Sequence, residues 1–181
     1  ADPFYNYTGQ LKFSYRLSPQ TKLVINNRYF YAFQKSFFAI NSPSINVGGK
    51  GITNDFTINP VLTHRFSEKV KSNFHLLLSG YRFIQQLDSI SNNSKYYSDE
   101  FRQGFYRAEN QTDIQLNTQN TFTVGGGYTL QTVNTTRYRE PKEQQMWYGF
   151  AQHEWSGVRN LIVIAGLRYD YNTDFKARIS P

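Results

Sequence analysis

Tyr5-Asn6-Tyr7-Thr8-Gly9-Gln10-Leu11-Lys12-Phe13-Ser14-Tyr15-Arg16-Leu17 is the stretch that decides the fold. Its odd positions are apolar or aromatic apart from Gly9, and its even positions are polar. Alternation with period two marks a strand whose faces meet different surroundings. It lasts about thirteen residues, where a globular strand runs ~5–6. Ser18-Pro19-Gln20-Thr21 follows as a tight turn with proline at the second position. Leu23, Ile25, Tyr29, Tyr31 and Phe33 then run back against Lys22, Asn26, Arg28 and Gln34, with Asn27 as the exception. The result is one long hairpin.

The unit recurs. Phe56, Ile58, Leu62 and Phe66 alternate with Asp55, Thr57, Asn59, Thr63 and Arg65, Ser67-Glu68-Lys69 turns the chain, and Val70, Phe74, Leu76 and Leu78 return. Near Gly80 the apolar phase moves to Tyr81 and Phe83, which predicts a bulge. Tyr106, Ala108, Ile114 and Leu116 lead through Asn117-Thr118-Gln119-Asn120 to Phe122, Val124, Tyr128 and Leu130. The strand Trp147 to Trp155 turns at Ser156-Gly157-Val158-Arg159 into Leu161, Val163, Ala165, Leu167, Tyr169 and Tyr171.

This predicts an all-β fold of about eight long antiparallel strands in four hairpins. Segments 39–52, 88–103 and 139–144, rich in Asn, Ser, Gly and Lys, read as longer loops between the hairpins. Tight turns then lie at one end of the sheet and loops at the other. With strands of ten or more residues, that asymmetry marks a transmembrane β-barrel.

Aromatic placement separates this from a soluble sandwich, which buries its large rings centrally. Tyr5, Tyr7, Phe33, Phe37, Phe56, Phe83, Tyr106, Tyr138, Trp147, Tyr169 and Tyr171 fall near the loop end of their strands. Tyr15, Phe66 and Trp155 fall near the turns, with aliphatic residues between the two sets. Two rims of rings match the interfacial girdles of a membrane barrel, with Tyr5, Tyr7, Phe33, Trp147, Trp155, Tyr169 and Tyr171 as the interface aromatics. Lys12, Arg16, Arg28, Asp55, Arg65, Arg168 and Asp170 occupy the opposite face, where a lumen would keep them hydrated.

Composition agrees. The 181 residues include 15 Phe, 14 Tyr and 2 Trp, yet mean hydropathy is only -0.62. Rings on one face and polar groups on the other produce that average. The longest apolar run, Leu161 to Gly166, is far short of the ~20 residues of a membrane helix. The absence of cysteine excludes disulfides, thiolate-ligated metals and cysteine nucleophiles, and three histidines leave little for a metal site. Neither a cofactor nor a metal is called for. The formal charge of +7 raises the possibility of nucleic acid, but the 20 Lys and Arg are spread along the chain, so no nucleic-acid partner is expected.

The final hairpin carries a resemblance. Trp147-Tyr148-Gly149-Phe150-Ala151-Gln152-His153-Glu154-Trp155, then Ala165-Gly166-Leu167-Arg168-Tyr169-Asp170 and Ile179-Ser180-Pro181, resemble TonB-dependent outer-membrane receptors over 141–181. There a strand aromatic-x-Gln-x-Glu-Trp pairs with Ala-Gly-Leu-Arg-Tyr-Asp, and Ser-Pro opens the next strand. The resemblance implies a barrel of about 22 strands closed by a plug. It also implies import of a scarce nutrient (siderophore, haem, cobalamin or oligosaccharide) across the outer membrane of a Gram-negative bacterium. The implied partners are outer-membrane lipid, the rest of the barrel and plug, TonB through that plug, and a surface lipoprotein. Residues 1–181 would be a partial barrel, without plug, TonB box or signal peptide and with a mature or engineered start. The alternatives are a complete eight-stranded barrel serving as anchor, adhesin or narrow pore, and a soluble all-β binding protein.

Within 88–103, Tyr96, Tyr97 and Arg102 combine stacking rings with a cation and are the candidate ligand-binding residues of an outward loop. Gly48-Gly49-Lys50-Gly51-Ile52-Thr53 lacks the strand-then-helix setting of a phosphate-binding loop and reads as a flexible loop. Gly125-Gly126-Gly127 sits inside a strand, where missing side chains mark a bend or a close approach. His75 and His153, near Ser79 and Glu154, have no catalytic spacing, and no catalytic residue or enzyme activity is expected.

Overall fold

The computed structural model describes residues 3–41 and 44–181, with side chains for all of these except 36–45. Nine strands follow one another: β1 (Phe4–Arg16), β2 (Thr21–Asn41), β3 (Ser44–Arg65), β4 (Val70–Ser89), β5 (Lys95–Asn117), β6 (Asn120–Thr135), β7 (Lys142–Val158), β8 (Leu161–Asn172) and β9 (Arg178–Ser180). Each pairs antiparallel with the next in a single sheet. The expectation of about eight long strands is met, with a short ninth, Arg178–Ser180, added against Arg168–Asp170. Among the described residues β1 and β9 pair on one side only, so the sheet is open.

The loops expected over 39–52 and 88–103 are for the most part strand. β2 and β3 pair as far as Asn41 with Ser44, and β4 and β5 as far as Asp88 with Lys95, leaving residues 90–94 as the turn. Polar composition misleads here because pairing satisfies the backbone groups that face a neighbouring strand whatever the side chains are. Asn, Ser and Gly at the end of a hairpin reflect water around the ribbon, not irregular backbone. Gly48 to Thr53 accordingly lies in β3, paired with both neighbours. Residues 42–43 lie outside the described residues, as does the side chain of Phe37. Nor does Gly80 mark a bulge. The register is unbroken there, and Tyr81 and Phe83 simply face the other side from Phe56 and Leu78, which removes Phe83 from the ring belt. The register shifts lie between Leu87 and Asp88, Gln115 and Asn117, and Trp155 and Val158.

Register assigns every paired residue to a face. Tyr5, Tyr7, Phe33, Phe56, Tyr106, Tyr128, Trp147, Trp155, Tyr169 and Tyr171 share one, which we call the aromatic face. Lys12, Arg28, Asp55, Arg168 and Asp170 share the polar face. Tyr7 and Leu11 are 65% and 67% exposed, and Val47 and Tyr148 are the only apolar residues buried among those described. One layer with a bare apolar face has no core of its own, so it is not a soluble sandwich, whose two sheets would cover each other.

The rows of paired residues also give the tilt. One row runs Tyr15, Leu23, Leu62, Phe74, Asn110, Gly126, Gly149, Tyr169. It starts beside the turn that follows β1 and ends near the opposite end of β8. A level belt from Tyr169 across to Tyr5 and Tyr7 must therefore climb about one residue per strand. At ~3.3 Å per residue and ~4.8 Å between strands, the slope is about 35°, at the lower end of the ~35–45° typical of barrels.

Candidate functional site

Both constellations of interacting side chains on the polar face follow from which strands carry them. At mid-height, Glu109 of β5, Tyr148 of β7 and Arg168 of β8 meet across β6. The Tyr148 hydroxyl donates to Glu109, two strands away, so the phenol must lie flat over β6. Gly127 makes that possible. A Cβ there would stand 2.6 Å from the Tyr148 oxygen and 2.7 Å from the Ala108 carbonyl, and one at Gly125 would stand 2.4 Å from the Phe150 ring. The glycine run marks this close approach of two rings. Above the ring lies the Arg168 guanidinium, 4.1 Å from its centre, held in turn by Asp170 at 2.8–3.0 Å. A cation over an electron-rich face, fixed by a carboxylate in a fork, is a rigid arrangement. Around it lies a recess of about 510 Å³ bordered by Glu109, Phe150 and Arg168.

The second constellation stands at the far end of the same face. Tyr81 and Phe83 of β4, Phe101 of β5 and Tyr138 beyond β6 border a recess of about 410 Å³ that also includes Asp99, Thr135 and Arg137. Tyr81 and Phe101 meet edge to face, 6.1 Å apart. Asp99 is 6% exposed, accepts the Thr136 hydroxyl and pairs with Arg137 at 2.6 Å. Arg137 also donates to the Tyr97 hydroxyl at 3.2 Å. The Thr136 bond, reinforced by Arg137 and Tyr97, holds the Asp99 carboxyl below its ordinary range, and the bonds to Tyr97 and Asp99 hold Arg137 above its own. Rings beside a fixed ion pair can stack a planar group while offering polar contacts to its edge.

The three candidate ligand residues stand on strand β5 and not in a loop. Tyr97 pairs with Leu87 and, without bordering the second recess, accepts a hydrogen bond from Arg137, which does. Tyr96 is the unpaired residue at the register shift, and Arg102 is on the aromatic face, where it contacts Glu100. Asp99 and Arg137 escaped the sequence reading as site residues because one stands on β5 and the other just beyond the end of β6, and only the pairing of those strands brings them together. His64 bonds Thr21 at 2.8 Å, His153 bonds Asn120 at 3.0 Å, and Ser79 shares its bond with Thr57. Among the described residues no group of three metal-ligating side chains converges.

No protein-family model and no curated protein sequence matches the chain. Solved structures do. The siderophore receptor PirA from Pseudomonas aeruginosa aligns over 97% of this chain at 13% identity, with a TM-score of 0.67. The RagAB peptide importer in its closed-closed state aligns over 98% at 8% identity with a TM-score of 0.72, and a mutant of the ferric enterobactin receptor PfeA from P. aeruginosa over 99% at 12% identity with a TM-score of 0.67. The chain spans 29–30% of the length of those three. At these identities the likeness is one of fold: the sheet is built as a stretch of outer-membrane barrel wall, as the terminal hairpin's resemblance implies.

Proposed function

We propose that the chain forms part of the barrel wall of a TonB-dependent outer-membrane transporter that imports a scarce nutrient. The observation that supports this best is the single layer with opposed faces, whose ring belt is level only at the slope of a barrel. The aromatic face then meets lipid, the polar face lines the lumen, short turns point to the periplasm and the long hairpins project outside the cell. β5 has 23 residues, against the ~9–11 that cross a bilayer. The excess stands above the membrane, and the recess at its end opens where an arriving solute would first meet the inner face.

Within this reading the remaining strands, a plug, TonB acting through that plug and a surface lipoprotein are the partners, in the outer membrane of a Gram-negative cell. Siderophore, haem, cobalamin and oligosaccharide are the substrate classes, and the similarity to two siderophore receptors and a peptide importer favours a compact solute with planar or amide groups. Tyr97, with Arg137 and the rings beside it, captures that solute. The role is binding and passage, not catalysis. The test is uptake by cells carrying the intact protein with Tyr97→Ala and Arg137→Ala. The proposal expects normal amounts of folded, heat-modifiable barrel and weakened nutrient binding. Unchanged uptake and binding would remove the recess from the account, and a protein folding without detergent would remove the membrane.

A further inference from the structure

Arg82 of β4 and Arg102 of β5 stand directly opposite each other on the aromatic face. Two like charges at that spacing, Cβ atoms ~5 Å apart, destabilise a strand pair unless an anion joins them. Glu100 supplies one. A single carboxylate oxygen, Oε1, accepts from the Nε of Arg82 at 2.6 Å and from the Nε of Arg102 at 2.7 Å. Those bonds, from Arg102 first and then Arg82, hold the Glu100 carboxyl below its ordinary range. Two cations against one anion leave a net positive charge. Both guanidiniums keep their terminal nitrogens without a protein partner among the described residues, and the two side chains are 47% and 56% exposed.

Their height is set by the belt. Phe56 and Gly80 lie one step nearer the bilayer on this face, with the Phe56 ring covering Gly80, and Tyr106 lies further in along β5. The next outward residue on this face of β3 beyond Ile52 is Lys50, exposed and paired with Gln86. Aromatic residues mark the membrane–water interface, so Arg82 and Arg102 stand at the level of lipid headgroups and face outward into them. A guanidinium matches phosphate oxygens with two parallel donors, and Glu100 holds the two forks side by side.

We propose that Arg82 and Arg102 bind the phosphate of an anionic membrane lipid at the outer rim of the barrel, with Glu100 as the positioning residue. This rests on the membrane reading above and adds to it a specific lipid contact. It also gives Arg102 a role on the lipid side, away from the solute-binding recess.

The experiment uses the intact protein that contains this chain, in nanodiscs of phosphatidylcholine with a minor share of phosphatidylglycerol, with retained lipid counted by native mass spectrometry. Arg82→Ala with Arg102→Ala lowers retained phosphatidylglycerol about tenfold, as loss of charge-assisted bonds predicts. Arg82→Lys with Arg102→Lys, which keeps the charge and loses the fork, gives an intermediate loss. Arg16→Ala with Arg65→Ala removes the same charge from the polar face and leaves retention at the wild-type level. Equal retention in the Ala pair and the wild type overturns the proposal, as does displacement of the lipid by inorganic phosphate, which would assign the pair to a soluble anion. A protein that needs no detergent fails the membrane reading. One that needs it and shows no difference between variants fails this inference alone.

Discussion

Asp99 and Glu100 are neighbours in sequence, and the pleat sends them to opposite sides of the wall. Asp99 is nearly buried, with Thr136 and Arg137 around it, while Glu100 is half-buried between two exposed arginines that it only half neutralises. The same contrast runs through the whole sheet. Side chains on the polar face find partners within the chain, as in the Tyr148–Glu109–Arg168 rib and the pairs Arg28–Asp55 and Lys71–Asp113. The aromatic face is dominated by ring contacts, as with Tyr5 on Phe33 at 5.0 Å and Trp147 on Tyr128 at 5.1 Å, beside polar pairs such as Tyr29–Asn54 and Ser72–Asn110 and the Arg82–Glu100–Arg102 cluster. A residue's chemistry in this wall is decided less by its type than by the parity of its position.

The largest effect that tests this contrast belongs to two adjacent leucines. Leu76 lies on the aromatic face near mid-height and Leu77 on the polar face. Leu76→Arg places a charge in hydrocarbon and is expected to destabilise the folded barrel by ~2–4 kcal/mol. Leu77→Arg, hydrated in a lumen, is expected to cost no more than about 1 kcal/mol. Urea unfolding of the intact protein in bilayers measures both, and equal costs would break the assignment of faces.

Next come two glycines. Gly127→Ala pushes a methyl against the Tyr148 hydroxyl and the Ala108 carbonyl, and overpacking of that kind costs ~1–3 kcal/mol. At Gly149, on the aromatic face, a Cβ meets nothing nearer than the Gly125 carbonyl at 3.8 Å, so Gly149→Ala is expected to be near neutral. The same unfolding measurement ranks them, and a neutral Gly127→Ala would mean that the phenol does not lie over β6.

The smallest effect is one of pH at the outer end. Because the Asp99 carboxyl sits below its ordinary range in the folded state, its contribution is present above the unfolded value of ~3.9 and is lost as pH falls through the lower folded value. The clasp to Arg137 is therefore expected to hold through neutral and mildly acidic pH and to loosen only below about 4. Hydrogen exchange at residues 135–138 reads this, and loosening near neutrality would contradict the ion pair.

Much of this wall was legible in residue order. Alternation from Tyr5 to Leu17 placed β1 within a residue of its ends, and the likeness carried by the terminal hairpin implied the fold that the solved structures share. What misled was composition. Gly48 to Thr53 and Ser94 to Arg102 look like loops because polar, small and aromatic residues mix on both faces there, so the alternation that signals a strand disappears. Tyr81 and Phe83 misled for the related reason that rings above the bilayer can face inward. The recess was illegible for another cause. Asp99, Arg137 and Tyr97 are brought together by pairing between β5 and β6, and a one-residue slip in that register would scatter them to opposite faces.

The central claim is that parity decides which side of the wall meets lipid. These 181 residues contain no cysteine, so single cysteines placed at each position from 74 to 83 in β4 of the intact protein, with any cysteine elsewhere in it replaced by serine, carry the label alone. Spin labels there, in bilayers, report access to oxygen dissolved in lipid and to a water-soluble nickel complex. The account predicts strict alternation, with positions 74, 76 and 78 accessible to oxygen and 75, 77 and 79 to nickel, fading to nickel access on both faces near Arg82. Uniform nickel access along the strand, or the opposite parity, would contradict it.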